Sequence, residues 1–272
     1  MACYSFNVSI ISRGKGGSVV AAAAYSSGEK LHDIYDGRIH NRSYRRDVIH
    51  REILLPSEAP CEFQDRQTWL DALNIAEKRA DAQMARAIKL ALPNELSFDE
   101  HVSLTRDFLN RFFVAHGFLA DIAIHQGIID LSSKPDTICA VQEYQNNPHA
   151  HILVPLRPVD EGGFQQTKNR CMNSRSYVMK WREEWARIQN QAFERLGLDV
   201  RVTHESLAQR GIDREPSIHL GAATIALERK GILTERGDEY RAIIERNRDR
   251  ELDRRSPWLK RWDRDREMER LR

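Results

Sequence analysis

Two histidines separated by a single residue are the first feature of this sequence that could do chemistry. His149 and His151 run directly into an Ile-Leu-Val segment, a pattern typical of a β-strand in which alternate residues share a face. The two imidazoles therefore point to one side and Ala150 points to the other. A His-x-His pair alone fits ordinary polar residues on a half-exposed strand equally well, because so short a motif often occurs by chance.

A third histidine ends another alternating segment. Residues 119–125 alternate apolar and polar positions up to His125 and predict a second strand. If the two strands are neighbours in one sheet, His125, His149 and His151 can converge on a metal ion. Three protein ligands leave further metal positions open, which suits catalysis or substrate binding, whereas a structural site is usually closed by four.

Tyr25 lies near the end of a predicted helix. Ser18 is a suitable N-cap residue, and the helix continues through an alanine run to Gly28, a suitable C-terminal stop. The small side chains allow this helix to pack closely on a sheet. For an isolated tyrosine at such a position, a buried structural role is the ordinary explanation.

Residues 29–51 mix arginines with tyrosines and histidines and predict a loop or an irregular hairpin. Cations can contact phosphates and flat rings can stack on unpaired bases, so this composition suits single-stranded nucleic acid. The same composition is common on ordinary solvated surfaces. The candidate DNA-binding residues are Arg38, Arg42, Arg45 and Arg46.

Composition bounds the class of protein. The 272 residues, of which 41% are hydrophobic, can bury a sizeable core in one large domain or in a domain with an appendage. A net charge of +2 does not mark the whole chain as a nucleic-acid binder. The four cysteines contain no C-x-x-C pair and predict reduced thiols in a cytosol. No secretory leader or membrane-spanning apolar run is recognisable, so we expect a soluble intracellular protein without membrane insertion.

The remaining pattern predicts an α+β fold with a central, mostly antiparallel sheet flanked by helices. Helices are expected to cover one face of the sheet, leaving the other to Tyr25 and the histidines. The predicted elements are a strand from Tyr4 to Ile10, helices over 68–90, 97–116 and 176–196, a turn at 160–163, and a charged solvated helix past Glu235. Residues 126–145 connect two of the strands and predict a hairpin of their own.

Several short segments follow one another in a fixed order. They are Ala24-Tyr-Ser-Ser-Gly-Glu-Lys-Leu-His-Asp33, His50-Arg-Glu-Ile-Leu-Leu-Pro56, Ala76-Glu-Lys-Arg79, Ala82-Gln83, Ala91-Leu-Pro93, Asp121-Ile-Ala-Ile-His125, Asn147-Pro-His-Ala-His-Ile152 and Gly211-Ile-Asp to His219-Leu-Gly221. Together they resemble the MobA/MobL family of plasmid mobilisation relaxases, endonucleases with a histidine-hydrophobe-histidine motif and a catalytic tyrosine. The resemblance covers residues 1–221.

The resemblance implies a relaxase palm over residues 1–221, followed by a charged helical extension over 222–272 that leads to further domains. It implies that Tyr25 is the nucleophile at a plasmid origin of transfer, oriT, and leaves a 5′-phosphotyrosyl bond. His125, His149 and His151 would hold one divalent cation, Mn²⁺ or Mg²⁺. His204 and His219 are weaker candidates for a direct role.

The implied partners are oriT DNA, bound partly as duplex and partly as single strand, auxiliary relaxosome proteins, and the coupling protein of a type IV secretion system. The implied location is the bacterial cytoplasm, with transfer to a recipient cell attached to the DNA. The chemistry is consistent, because a phenol with a pKa near 10 needs a base or a cation to act as a nucleophile at neutral pH. The phosphotyrosyl ester conserves the phosphodiester energy, so nicking is reversible without ATP.

Two departures from the family pattern affect the expected activity. Many members carry a glutamate where this chain has Ala87. The loss of that acid would slow the reaction unless Glu52, Glu77 or Asp33 substitutes for it. The alanine could also be an inactivating substitution. The connection from His125 to His149 is also longer than usual, and we expect a hairpin beside the metal site with Lys134 in contact with DNA.

Three other functions share some of these sequence features. A DNA-binding protein of the same fold that no longer cuts is the main alternative, motivated by Ala87. A replication initiator usually places its tyrosine after the histidines, whereas Tyr25 precedes them. A zinc hydrolase would use the histidines and give Tyr25 no role.

Overall fold

The strands and helices are taken from a computed structural model, which describes residues 4–127 and 147–255. These residues divide into two units, one made of 4–127 with 147–204 and the other of 205–255. The strands of the first unit are β1 (Phe6–Ser12), β2 (Lys30–Asp33), β3 (Arg38–Asn41), β4 (Val48–Leu54), β5 (Gln83–Ala91), β6 (Ala120–His125), β7 (His149–Pro155), β8 (Val159–Asp160) and β9 (Gly163–Phe164). Its helices are α1 (Val19–Ser27), α2 (Arg66–Ala76), α3 (Phe98–Phe112) and α4 (Arg175–Arg195).

A five-stranded sheet in the order β1-β5-β7-β6-β4 forms the centre of this unit. Every neighbouring pair in it is antiparallel. Two short hairpins, β2-β3 and β8-β9, lie outside the sheet. The predicted α+β fold with an antiparallel sheet flanked by helices is confirmed.

Helices cover both faces of the sheet, so the prediction that they cover only one was wrong. Ala150 and Ile152 of β7 belong to a core with Phe108 of α3 and Trp185 of α4. Leu153 belongs to a second core on the opposite face, formed with α1 and α2. The sequence gives α1 a buried stripe of valine and alanine, and such small side chains let the helix approach the sheet closely.

The ends of α1 are those that its capping residues predict. The Ser18 hydroxyl accepts a hydrogen bond from the Ala21 amide at 3.0 Å, which satisfies a free donor of the first turn. Gly28 ends the helix with φ of 66°, a left-handed conformation that favours glycine. The helix therefore presents Tyr25 in its last turn.

The long helix predicted over residues 68–90 was wrong. Helix α2 ends at Ala76, and residues 83–91 form β5, between β1 and β7 in the sheet. Its alanine, methionine, lysine and leucine residues favour helices intrinsically. Burial in the middle of a sheet outweighs this preference, because strand stability depends mainly on packing against neighbouring strands and helices.

The other predicted elements are present. Ser97 caps α3, and α4 spans Arg175–Arg195. In the second unit, α5 spans Ala222–Arg229 and α6 spans Glu235–Arg255. Within this unit Arg246 forms a bidentate pair with Glu215, with both N–O distances at 2.8 Å.

Other predictions fall partly or wholly outside the described residues. The hairpin predicted over 126–145, with Lys134, lies almost entirely in 128–146, which the structure does not describe. Within the described ranges, no helix is long and apolar enough to cross a membrane. The division into a domain of residues 1–221 and an extension of 222–272 stays a prediction.

Candidate active site

The sheet register brings the three histidines together. His125 of β6 is directly opposite His149 of β7, and His151 is opposite Ala123. Side chains alternate between faces along a strand, so all three imidazoles lie on the face covered by α1. Their ring centroids are 4.5–5.2 Å apart, and one nitrogen from each ring lies within 4.8 Å of the others.

Backbone carbonyls fix which nitrogen carries the proton in two of the rings. His149 donates from Nδ1 to the Asn147 carbonyl at 2.7 Å, which leaves its Nε2 lone pair free. His125 donates from Nε2 to the Ser26 carbonyl at 2.7 Å, which leaves the lone pair on Nδ1. The Nε2 atom of His151 is buried and has no hydrogen-bond partner among the described residues.

Burial lowers the pKa of all three imidazoles. The pKa of His149 falls to about 4 and that of His151 to about 2. The rings are therefore neutral at pH 7, and the neutral imidazole is the form that binds metals. An unpartnered buried nitrogen, carbonyl-oriented rings and neutral donors together fit a divalent cation.

Tyr25 lies beside this cluster. Its ring centroid is 6.3 Å from that of His125 and 5.8 Å from that of His151, and 47% of the residue is exposed. The guanidinium of Arg45 lies 4.1 Å above the Tyr25 ring and donates to the Tyr25 carbonyl at 3.0 Å. The half-exposed Tyr25 therefore lies on the same face of the sheet as the partly exposed His149 and His151 and the fully buried His125.

Asp47 is the carboxylate that accompanies this arrangement. It accepts hydrogen bonds from Nε and Nη2 of Arg45, the first at 2.9 Å. The same carboxylate lies 3.9 Å from Nδ1 of His125. The Arg45 guanidinium lowers the pKa of Asp47, so the group stays ionised.

Two residues of β5 face the same side. Lys89 is directly opposite His151 in the sheet, and Ala87 is opposite Leu153. Burial lowers the pKa of Lys89, and the neighbouring Arg45 lowers it further. Ala87 supplies no carboxylate. Within the described ranges, no aspartate or glutamate is hydrogen-bonded to the Tyr25 hydroxyl.

The structure does not bring Glu52 or Glu77 to Tyr25. Glu52 is opposite Ile122, whose side chain lies in the core on the other face of the sheet, and it binds Arg106 at 2.8 Å. Glu77 follows α2 and pairs with Arg157 at 2.7 Å, beyond the end of β7 remote from its histidines. Each carboxylate is paired with an arginine that is distant in sequence, so the sequence alone does not show either pair.

Asp33 stabilises the opposite end of α1 from Tyr25. Its carboxylate accepts from the hydroxyl of Ser18, the N-cap residue, at 2.7 Å. Asp33 also forms a group with Asp36 and His40 whose candidate ligand atoms lie within 4.8 Å of one another. Because Asp33 is already hydrogen-bonded to its neighbours, we assign this group a structural role.

The four predicted DNA-binding arginines have different environments. Arg38 lies on β3, with 77% of its side chain exposed. Arg42 donates to the hydroxyl of the exposed Tyr44 at 3.0 Å, and Arg46 is also exposed. Arg45 alone is packed into the site, with 13% of its side chain exposed.

Asp47 and Lys89 were not identified from the sequence. The Arg-x-Asp spacing of 45–47 offered a weak signal for a local ion pair. Alternation along a strand beside the His-x-His strand places Lys89 on the site face, but the helical preference of residues 83–91 conceals that strand in the sequence.

Comparisons with known proteins identify the family of the chain. The model of the MobA/MobL family matches residues 17–230. Conjugal transfer protein TraA of Agrobacterium fabrum is 30% identical over 260 residues, which cover 85% of this chain and 22% of TraA. Mobilization protein MobL of Acidithiobacillus ferridurans is 30% identical over 247 residues, covering 85% of this chain and 65% of MobL.

A solved structure described as "Molecular Basis of Vancomycin Resistance Transfer in Staphylococcus aureus" has the same fold, with a TM-score of 0.64 and 28% identity. The match covers 75% of this chain and all of the other. In the two sequence comparisons, the chain spans about a fifth of the length of TraA and just under two thirds of the length of MobL.

Proposed function

The chain belongs to the MobA/MobL family, as the sequence motifs predicted, and from this premise we propose that it is a DNA relaxase that nicks one strand at a plasmid oriT. The observation that carries the proposal is the position of Tyr25 beside three neutral imidazoles on one face of the sheet. A nucleophile and a cation site must lie this close to act on one phosphate.

The proposed reaction is a transesterification. The Tyr25 oxygen attacks the scissile phosphorus, the bond from phosphorus to the 3′ oxygen breaks, and the 5′ phosphate stays on the tyrosine. The tyrosine loses one proton and the leaving 3′ oxygen gains one, so neither water nor ATP is consumed. The phosphotyrosyl ester keeps the phosphodiester energy, and attack by a 3′ hydroxyl reverses the step.

His125, His149 and His151 would hold the cation. A bound divalent cation supplies polarisation of the non-bridging phosphate oxygens and offsets the charge that develops on them. Of the two metals expected, we propose Mn²⁺, because Mg²⁺ prefers oxygen ligands in near-ideal octahedral geometry. The backbone carbonyls that accept from His125 and His149 fix the two rings and leave one nitrogen of each that would bind the cation.

Arg45 would position the nucleophile. Its guanidinium lies on the face of the Tyr25 ring and holds the carbonyl of the same residue, so ring and backbone are fixed together. Asp47 in turn holds Arg45. The guanidinium also carries a fixed positive charge beside the place where a phosphate reaches Tyr25.

We propose oriT DNA as the substrate, contacted partly as single strand by Arg38, Arg42 and Arg46 near the exposed Tyr44. The family-level proposal includes auxiliary relaxosome proteins, a type IV secretion coupling protein and a location in the bacterial cytoplasm. It also includes a catalytic domain over residues 1–221 and a helical extension over 222–272. TraA and MobL carry conjugal transfer and mobilization in their names, which supports this assignment.

Covalent capture tests the proposal. The chain is incubated with Mn²⁺ and a panel of 5′- and 3′-labelled oriT oligonucleotides, then separated on a denaturing gel. We expect a protein-linked label only from the segment 3′ of the nick, and its loss in Tyr25→Phe and in His151→Ala. Tyr177→Phe, a half-exposed tyrosine on α4, is the matched control and should react normally. An adduct that survives Tyr25→Phe would refute Tyr25 as the nucleophile.

A second candidate function is oriT binding without cleavage. The observation that favours it is Ala87, which leaves the site face of β5 without an acid to accept the Tyr25 proton. In the same assay this function predicts tight oligonucleotide binding without an adduct. An adduct that forms only in Ala87→Glu would show that the site is intact and lacks one proton acceptor.

A further inference from the structure

We propose that Arg45 and a divalent cation compete for the same nitrogen, Nδ1 of His125. This inference rests on the metal site of the proposed function and assigns Arg45 a role in controlling it. Nη2 of Arg45 lies 3.3 Å from Nδ1 of His125. A guanidinium only donates hydrogen bonds, so this nitrogen must offer its lone pair to Arg45.

The other side of the His125 ring supports the same assignment. Nε2 lies 2.7 Å from the Ser26 carbonyl, which only accepts. The proton of the neutral ring is therefore on Nε2, and Nδ1 holds the one lone pair in the ring plane. A metal ion and an N–H donor cannot share that lone pair, so one must displace the other.

Arg45 is anchored for this role. Asp47 binds its Nε at 2.9 Å and also binds Nη2, and Nη1 donates to the Tyr25 carbonyl at 3.0 Å. With 13% of its side chain exposed, the guanidinium is held by partners on several sides. Among residues 4–127 and 147–255, no guanidinium or ammonium is hydrogen-bonded to His149 or His151, so within these ranges the competition concerns one of the three ligands.

The consequence joins metal occupancy to the nucleophile. When a cation takes Nδ1 of His125, Nη2 of Arg45 loses that acceptor while the guanidinium remains on the Tyr25 ring. The released N–H then belongs to a guanidinium that lies 4.1 Å from the centroid of the Tyr25 ring, where it can donate to a phosphate oxygen of the bound strand. A filled cation site thereby provides a hydrogen-bond donor that is otherwise occupied.

Metal affinity tests the inference without using nicking as the readout. Mn²⁺ is titrated into the full chain and the free ion is measured by electron paramagnetic resonance, for the wild type, Arg45→Met and Arg45→Ala. Methionine keeps an apolar stem over the Tyr25 ring and removes every donor. We expect both variants to bind Mn²⁺ about tenfold more tightly, the factor that corresponds to 1.4 kcal/mol.

Lys89→Gln is the matched control for charge. It removes a positive charge from the same face without freeing a ligand nitrogen. Its gain in Mn²⁺ affinity should be smaller than that of the Arg45 variants, because it frees no ligand nitrogen. An equal gain in Lys89→Gln would overturn the competition and leave only a charge effect.

The outcomes separate this inference from the function on which it rests. If the wild type binds Mn²⁺ and the Arg45 variants bind equally or more weakly, the competition is wrong and the metal site stands. If His149→Ala binds as well as the wild type, the three-histidine site itself is wrong. Histidine ¹⁵N spectra of the wild type need no variant: they should show the Nε2–H tautomer for His125, and an Nδ1–H tautomer would also overturn the inference.

Discussion

The buried ion pair between Arg66 and Asp121 gives the clearest stability prediction. Nε and Nη2 of Arg66 bind the two oxygens of Asp121 at 2.8 and 2.7 Å, and only 8% and 5% of the side chains are exposed. Nη1 also binds Glu29 at 2.7 and 2.8 Å. The pair therefore connects the start of α2 to β6, the strand that ends at His125, and to the residue that follows the α1 stop.

Replacing Arg66 with Met leaves the Asp121 carboxylate buried without a cation. Removing one partner of such a pair costs about 3–5 kcal/mol. Domain stabilities are about 5–15 kcal/mol, so the loss is a large fraction of the total. For a unit of this size it corresponds to a fall in Tm of roughly 10 °C.

Guanidinium chloride unfolding of Arg66→Met, Asp121→Leu and the double variant measures this effect. Breaking the pair is costly because a lone charge stays buried, so the double variant should recover most of the stability lost in either single one. Arg66→Lys should recover little, since an ammonium cannot bind both carboxylate oxygens and Glu29 in the same fork. A loss below about 1 kcal/mol in Arg66→Met, or a double variant as unstable as the sum of the single ones, would refute the account.

Three further predictions concern the site. In EDTA, the free energy of unfolding should fall as pH drops from 6.5 toward 4. Buried His149, with a pKa of about 4, stays neutral in the folded protein over this range, whereas the same histidine takes up a proton in the unfolded chain. Thermal unfolding should show a smaller change of Tm with pH in the double variant His149→Gln/His151→Gln. Ala87→Glu should raise the initial rate of adduct formation by about 10²-fold, the lower range for a positioned base, whereas Ala87→Gln should not. Arg46→Ala should lower the slope of log affinity against log salt for single-stranded oriT by about 0.7, as for one lost phosphate contact; Arg175→Ala on α4 is the control.

Local sequence signals predicted much of the fold and of the site. Ser18 and Gly28 define α1 because caps act on the residues beside them. The alternation around His125 and around His149 predicts two strands, and one sheet register is enough to bring the histidines together. Local patterns predict the helix and the strands that carry the candidate site. The family motifs indicate that Tyr25 and the three histidines belong to one site.

Interactions between distant residues could not be predicted in this way. The composition of residues 83–91 predicts a helix because their intrinsic preference is helical, and only burial between β1 and β7 makes them a strand. The sequence makes Glu77 a candidate catalytic acid, and only the structure shows that its carboxylate pairs with Arg157 and Lys168. The position of Arg45 between Tyr25 and His125 joins three segments, and no pattern within any one of them indicates it.

The most direct test of the central claim is to identify the residue that carries the DNA. After reaction with an oriT oligonucleotide and Mn²⁺, nuclease and trypsin digestion should leave a nucleotide mass on the peptide Gly16–Lys30, whose only tyrosine is Tyr25. We predict that this modified peptide forms in the wild type and is absent from Tyr25→Phe. A nucleotide found instead on the peptide that contains Tyr35 or Tyr44 would contradict the account.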